Sequence, residues 1–161
     1  MIKVGDRLPE GSFRVKADDG SVRQVPTSEI FAGKKVVLVG VLGAFTSTCH
    51  NGHVPTFLAN IDQFKERGVD RIAVISVNDH HVMKTWANSL GAEGKIDFLA
   101  DGSGVYARAL GLENDMTGAG MGLRSKRFAM LVDDSVVKAI NVEPDGGKVT
   151  NTNAASMLAL L

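Results

Sequence analysis

Apolar residues fall into short runs that alternate with a helical stripe in the first half of the chain. Residues 34–42 (KKVVLVGVL) and 71–77 (RIAVISV) are nearly continuous apolar runs rich in valine and isoleucine, typical of strands buried on both faces of a sheet. Residues 55–67 between them place apolar side chains along one face of a helix: Phe57, Leu58, Ile61 and Phe64. Strand, helix and strand in this order predict a βαβ unit.

The second half of the chain predicts further strands and helices of the same sheet. They are a helix over 82–90 ending at Gly91, a strand over 96–100, a hairpin over 127–132 and 136–142 around Asp133-Asp134-Ser135, and a helix over 153–161. Residues 118–122 (GAGMG) predict a flexible loop. The pattern therefore indicates an α/β protein with a central mixed sheet flanked by helices.

The first thirty residues are expected to be accessory to this alternation. Residues 13–16 and 22–25 flank ADDGS and predict a hairpin with an Asp-Gly turn, which Pro26 ends before a helical turn over 28–31. The chain has 161 residues, no internal repeat and no linker-like tract, so we predict a single domain over 1–161.

Composition excludes several classes of protein. Eighteen Lys and Arg balance eighteen Asp and Glu, which argues against a basic nucleic-acid surface, and 44% hydrophobic residues argue against a disordered chain. No apolar run reaches the length of about 18 residues that a membrane span needs, and MIKVGDRLPEGSFRV does not resemble a signal peptide. We therefore expect a cytoplasmic protein that binds neither nucleic acid nor membrane.

Cys49 is the only cysteine, so an intrachain disulfide and a four-cysteine zinc site are both excluded. The strand before it ends, Gly43 permits a turn and a helix is under way by Val54, which places Cys49 in the first turn of that helix. Unpaired N–H groups and the helix dipole favour an anion there, and thiolates form more readily at such positions. Thr46 is placed to cap the helix or to bond an approaching group.

Other interpretations of Cys49 stay open at this point. It can be a small buried hydrophobe, as most lone cysteines in such proteins are. Cys49 and His53, four residues apart on one helix face, can bind a metal together with other histidines, although the sequence holds neither CxxC nor HExxH. A Cys–His nucleophile for acyl transfer is a third interpretation, with no recognisable oxyanion signature. The candidate additional metal ligands are His50, His80 and His81.

Residues 43–57 (GAFTSTCHNGHVPTF) resemble the active-site segment of the type II peroxiredoxins, the atypical, peroxiredoxin-five-like branch. In that family a threonine precedes the peroxidatic cysteine by three residues, and a histidine and a proline follow. The resemblance continues over nearly the whole chain, in 75–79 (ISVND), 82–86 (VMKTW), 124–130 (RSKRFAM) and 137–146 (VKAINVEPDG).

The resemblance implies a thioredoxin-like fold and a thiol peroxidase. The Cys49 thiolate would attack the O–O bond of hydrogen peroxide or an organic hydroperoxide and become a sulfenic acid. Thr46 would bond the peroxide and the thiolate, and Arg127 would bring its guanidinium to the sulfur. The resemblance also implies a homodimer that needs no cofactor and no metal. Substrate contacts are expected from Leu42, Gly43 and Thr48.

Three positions depart from the family pattern. Leu42 stands where the motif has proline, Ser47 replaces a second proline, and His80-His81 replaces a small residue or proline followed by phenylalanine near a subunit interface. The histidines are either simply exposed or part of a pH-sensitive interface. Leu42 leaves an alternative function open, a thioredoxin-fold redox sensor or binding protein with weakened peroxidase activity.

The second cysteine of many type II relatives is missing. It would lie at the position of Val74 or of Asn151, and neither residue is a cysteine. The sulfenic acid therefore has no partner within the chain and must be reduced by an external thiol, in a one-cysteine cycle. Glutathione with glutaredoxin, or thioredoxin, are the expected reductants.

Overall fold

A seven-stranded mixed sheet forms the centre of the molecule. The computed structural model describes residues 1–161. The strands lie in the order β2-β1-β5-β4-β3-β8-β9, and β6 and β7 form a separate two-stranded ribbon. The strands are β1 (Ser12–Lys16), β2 (Val22–Pro26), β3 (Lys35–Gly40), β4 (Arg71–Ser76), β5 (Asp97–Ala100), β6 (Glu113–Met116), β7 (Gly122–Ser125), β8 (Phe128–Asp133) and β9 (Val136–Val142).

Six short helices accompany the strands, as the pattern of a sheet flanked by helices predicts. They are α1 (Thr27–Phe31), α2 (Val54–Leu58), α3 (Ile61–Glu66), α4 (His80–Leu90), α5 (Val105–Leu110) and α6 (Ala154–Leu158). A π-helical turn (Cys49–His53) precedes α2, and a 3₁₀ turn (Thr117–Ala119) lies between β6 and β7. None of the helices has the length and apolar character needed to cross a membrane.

Strand β3 shows why its sequence is a continuous apolar run. It pairs in parallel with β4 and antiparallel with β8, so it lies inside the sheet. Its alternate residues belong to two separate apolar cores, one on each face: Val37 and Val39 to one, Val36 and Leu38 to the other. Both faces are buried, as a run without polar alternation requires.

The helix predicted over 55–67 is interrupted. Helix α2 ends before Asn60, whose backbone leaves the helical region with φ −119°. The Asn60 amide donates to the Thr56 carbonyl at 2.6 Å, a local side-chain bond that competes with the backbone helix. The apolar stripe survives the break, because Phe57 and Phe64 stack with ring centroids 5.7 Å apart.

The N-terminal hairpin is part of the main sheet, so its description as accessory was wrong. β1 pairs antiparallel with β5 through Arg14 and Ala100 and thereby extends the sheet by two strands. Residues 118–121 lie in the connection between β6 and β7, as the predicted loop requires, and Gly122 is the first residue of β7. The predictions for α4, β5 and the β8–β9 hairpin are confirmed.

Candidate active site

Cys49 begins the π-helical turn, and its side chain is fully buried. The Val54 N–H donates to the Cys49 carbonyl five residues earlier, while the His50 N–H donates to the Thr46 carbonyl at 2.8 Å. The backbone N–H of Cys49 has no acceptor within the protein. Cys49 therefore lies in the first turn, as predicted, with a free amide donor at the sulfur-bearing residue. Such π-turns inside helices are frequent at functional sites.

The loop before Cys49 is fixed by side-chain hydrogen bonds. The Thr46 hydroxyl donates to the Gly43 carbonyl at 2.7 Å, and the Ala44 N–H donates to Asn78 Oδ1 at 2.9 Å. Phe45 adopts a positive φ of 63°, a strained conformation for a residue with a bulky side chain. Because the Thr46 hydroxyl proton is committed to Gly43, its oxygen lone pairs remain free to accept a hydrogen bond.

Gly43 lies in close contact with Arg124 and Thr46. A Cβ at this position would lie 2.7 Å from Arg124 Nη1 and 3.2 Å from Thr46 Cγ2, so a side chain here would have to move the end of the Arg124 side chain. The Arg124 guanidinium also donates to the Met121 carbonyl through Nε at 3.0 Å. Arg124 therefore packs against the loop that carries Thr46, a role that the sequence did not indicate.

Arg127 is almost completely buried, with 1% of its surface exposed. Its Nε donates to the Gly146 carbonyl at 2.9 Å, and its Nη1 donates to His53 Nδ1 at 2.8 Å. It forms no ion pair with a carboxylate. A guanidinium keeps its charge at any physiological pH, so this cation is buried beside the Cys49–His53 turn without an anionic partner in contact.

His53 links Arg127 to the segment that leads into α6. Its Nε2 lies 2.9 Å from the Thr152 carbonyl, which can only accept, and its Nδ1 receives the Arg127 donor. Burial lowers the pKa of His53 to about 4; the Thr152 contact opposes this shift and the Arg127 charge adds to it. His53 is therefore neutral at neutral pH, with its proton on Nε2.

Glu143 orders the segment that carries the Thr152 carbonyl. Its carboxylate accepts from the backbone N–H groups of Thr150, Asn151 and Thr152 and from both threonine hydroxyls, at 2.6–3.0 Å. Burial by itself would raise the pKa of Glu143, but the hydrogen bonds outweigh burial and lower it to about 2. The carboxylate stays ionised and holds the segment over the whole physiological pH range.

The other predicted substrate residues meet the loop around Gly146. Leu42 is buried and packs against Gly146, where an added Cβ would lie 3.3 Å from Leu42 Cδ2. The Thr48 hydroxyl donates to the Gly147 carbonyl at 3.0 Å. Both residues support the backbone that receives Arg127 Nε, and their contact with substrate stays a prediction.

An aromatic cluster contacts the cysteine-bearing turn at His50. The Trp86 indole N–H donates to His50 Nδ1 at 2.9 Å, and Phe45 stacks on the His50 ring with centroids 5.6 Å apart. Trp86 is buried, whereas Phe45 is 47% exposed. The sequence did not indicate that His50 and Trp86 are joined.

The metal and acyl-transfer interpretations find no support in the geometry. Both ring nitrogens of His53 are engaged by other groups, so neither is free to ligate a metal or to take a proton from Cys49. No group of three or more His, Cys, Asp or Glu side chains has metal-binding geometry. His80 and His81 lie at the start of α4 with ring centroids 4.2 Å apart, and His81 contacts Lys16.

Comparisons with known proteins cover the whole chain. The Redoxin family model matches residues 3–158. Peroxiredoxin-2C of Oryza sativa subsp. japonica is 47% identical over 99% of this chain and 98% of its own. Reduced Prx3 from Vibrio vulnificus in complex with H₂O₂ has a TM-score of 0.92 at 46% identity, covering 99% of this chain and 98% of that chain. Peroxiredoxin 5 from Alvinella pompejana has a TM-score of 0.87 at 36% identity, covering 99% and 97%.

Proposed function

Because the chain belongs to the Redoxin family and is a peroxiredoxin, a thiol-dependent peroxidase of thioredoxin-like fold, we propose that Cys49 carries the reaction with Thr46 and Arg127. The observation that supports these assignments most strongly is the buried guanidinium of Arg127, which contacts no carboxylate and is held beside the cysteine-bearing turn. A buried cation of this kind is stabilised by an anion, and a Cys49 thiolate supplies one.

The first half-reaction is a displacement at oxygen. The Cys49 thiolate attacks the terminal oxygen of the hydroperoxide, so an S–O bond forms while the O–O bond breaks. The sulfur is oxidised to a sulfenic acid, and the departing oxygen takes a proton and leaves as water or an alcohol. Negative charge moves from sulfur to the departing oxygen, so donors fixed along that path lower the barrier.

Three surrounding groups support this path. The Cys49 N–H has no acceptor in the protein, and Arg127 Nη1 is held at the cysteine-bearing turn by His53. In this proposal both groups donate to the peroxide oxygens and to the developing charge. Thr46 takes the opposite role, because its proton bonds Gly43 and its oxygen is left to accept from the peroxide O–H. Fixed donors of this kind need no reorganisation as the charge moves.

The second half-reaction uses an external thiol, because the chain has a single cysteine. A thiol condenses with the sulfenic acid, which forms a mixed disulfide and releases water, and a second thiol displaces Cys49 from that disulfide. Since Cys49 is fully buried, the turn must open for this step. We propose glutathione with glutaredoxin, or thioredoxin, as the reductant, and a cytoplasmic homodimer as the working form.

Stopped-flow mixing of the reduced protein with hydrogen peroxide tests the assignment. We expect a second-order rate constant several orders of magnitude above that of a free thiol, because donors fixed around a developing charge each contribute about 10²- to 10³-fold. A rate equal to that of free cysteine would favour the redox-sensor alternative. Steady-state assays with glutathione, glutathione plus glutaredoxin, and thioredoxin then identify the reductant by which of them sustains turnover.

Leu42→Pro restores the family motif, and we expect its peroxide rate to be unchanged or higher. The Leu42 N–H donates no hydrogen bond, so proline removes none, and its fixed φ restricts the loop before Cys49. Leu42→Ala is the matched control, since it removes the packing against Gly146 without adding a ring. A large fall in the proline variant alone, measured by the same stopped-flow reaction, would mean that Leu42 is an adaptation of this chain.

A further inference from the structure

The contacts of His53 connect the cysteine-bearing turn with two distant segments. We propose that His53 is the positioning residue for Arg127, that it acts only as the neutral ring with its proton on Nε2, and that protonation of this ring disengages Arg127. The inference rests on the proposed role of Arg127 in peroxide reduction. The inference adds His53 to the residues that form the site. It also gives a physical reason for peroxide reduction to be lost in acid.

Hydrogen-bond matching singles out one form of the ring. Arg127 Nη1 can only donate and the Thr152 carbonyl can only accept, at 2.8 Å and 2.9 Å from the two ring nitrogens. The Nε2-protonated neutral ring satisfies both partners. The other neutral tautomer satisfies neither, because a donor then faces a donor and a lone pair faces a lone pair. The protonated ring satisfies Thr152 but sets an N–H against the guanidinium, with two positive charges in contact.

The position of the Thr152 carbonyl is itself fixed. Glu143 receives five hydrogen bonds from residues 150–152, including the N–H and the hydroxyl of Thr152. The Glu143 N–H also donates to the Arg127 carbonyl at 3.0 Å, so the same residue is tied to both partners of the ring. The result is a continuous path of hydrogen bonds from Glu143 through Thr152 and His53 to Arg127.

The charged and titratable groups around His53 are few. Arg127 precedes β8, Glu143 follows β9, and Cys49 lies one turn earlier on the same helical segment, while Phe57 packs its ring edgewise against the imidazole. Burial is the main cause that lowers the pKa of His53 to about 4, so the working tautomer is kept at neutral pH. As pH falls towards that value, the protonated form appears and Arg127 loses its Nη1 acceptor.

The decisive experiment compares two reactions of Cys49 in two variants of His53. Asparagine can place an amide oxygen near the position of Nδ1 and accept from Arg127, but it does not titrate; leucine removes the acceptor. Each protein is mixed with hydrogen peroxide and, separately, with iodoacetamide from about pH 4 to pH 8. Iodoacetamide reports the reactive thiolate without needing donors for peroxide oxygens. An effect of Arg127 on the thiolate itself changes both rates and cancels, so the ratio of the two rates isolates the role of Arg127 as a positioned donor to the peroxide.

For His53→Leu we expect the peroxide-to-iodoacetamide ratio at neutral pH to fall at least about tenfold, which is part of the roughly 10²- to 10³-fold that one fixed donor contributes. For His53→Asn we expect a ratio within about threefold of the wild type and no fall of that ratio in acid, whereas the wild-type ratio falls. His81→Asn, an exposed histidine outside the site, is the control and should keep the wild-type profile. A His53→Leu protein with the wild-type ratio would overturn the inference.

Nitrogen-15 NMR of the imidazole in the unmutated protein gives an independent test that needs no variant. We expect a protonated Nε2 and an unprotonated Nδ1 at neutral pH; the opposite tautomer, or a doubly protonated ring, would overturn the proposal. Failure of the underlying function has a different signature. In that case the unmutated protein itself would react with hydrogen peroxide no faster than a free thiol.

Discussion

Cys49→Ser protein will show no peroxide turnover while keeping the fold of the unmutated chain. The chain has no other thiol, and a serine hydroxyl is not ionised at neutral pH and cannot form a sulfenic acid. Cys49 is fully buried in an apolar core, so the serine hydroxyl is expected to cost about 1–3 kcal/mol of stability. Turnover is measured as peroxide consumption in the presence of excess thiol, and the fold by circular dichroism and thermal unfolding.

The methionines make a control necessary. The chain has six, and thioethers react with peroxide to give sulfoxides. Their oxidation is stoichiometric and slow, so intact mass after a brief exposure separates it from thiol chemistry: the unmutated protein should gain one oxygen rapidly and the serine variant should not. Cys49→Ala, which adds no hydroxyl, should behave like the serine variant in activity and differ from it only in stability. Sustained turnover by either variant would remove Cys49 from the reaction.

The central strands are predictable from sequence because burial on both faces of a sheet requires a continuous run of apolar residues. β3 and β4 are continuous apolar runs, since their neighbours in the sheet and the helices on both faces exclude water. α4 is equally clear, because Asp79 caps it through the Val82 N–H and Gly91 ends it in the left-handed conformation with φ 65°. Local signals and tertiary burial agree at these positions.

The edges of the fold carry weaker signals. The β6–β7 ribbon has mostly exposed or half-buried residues and reads ENDM and GLRS, with neither an apolar run nor a clean alternation. The turn of the N-terminal hairpin predicts that β1 pairs with β2, but nothing in the sequence predicts that β1 also pairs with β5. That pairing joins Arg14 and Ala100, which are 86 positions apart. The break at Asn60 depends on one side-chain bond that an apolar stripe does not reveal.

The site also combines local features, which the sequence predicts, with contacts between distant residues, which it does not. The position of Cys49 at a helix start follows from the end of one strand and the beginning of one helix, which are local features. The contact between His53 and Arg127 joins residues 74 positions apart, and that between His53 and Thr152 joins residues 99 apart. No spacing rule relates such residues. The role of Arg127 was reached only through a resemblance to relatives, and those of Glu143 and Asn78 appear only once the loops are seen together.

Replacing Arg127 by alanine is expected to lower the peroxide rate of Cys49 by about 10²- to 10³-fold, the loss typical of one fixed donor to a developing negative charge. The rate at which iodoacetamide alkylates Cys49 at neutral pH should also fall, because the reacting thiolate loses a neighbouring cation. Arg127→Lys should recover only part of the rate, since an ammonium on a flexible chain does not reproduce the paired contacts to Gly146 and His53.

Lys126→Ala provides the matched control, because it removes the same charge from the neighbouring, exposed position. It should leave both the peroxide rate and the alkylation rate unchanged, which separates the local contact from the net charge of the protein. Arg127→Ala has a further consequence at His53: the guanidinium charge adds to burial in lowering the pKa of that ring, so its removal should raise the pKa observed by NMR. If neither the peroxide rate nor the alkylation rate responds to the loss of Arg127, the buried cation serves only the packing of the Gly146 loop. The donor to the peroxide must then be sought among the backbone amides of the cysteine-bearing turn.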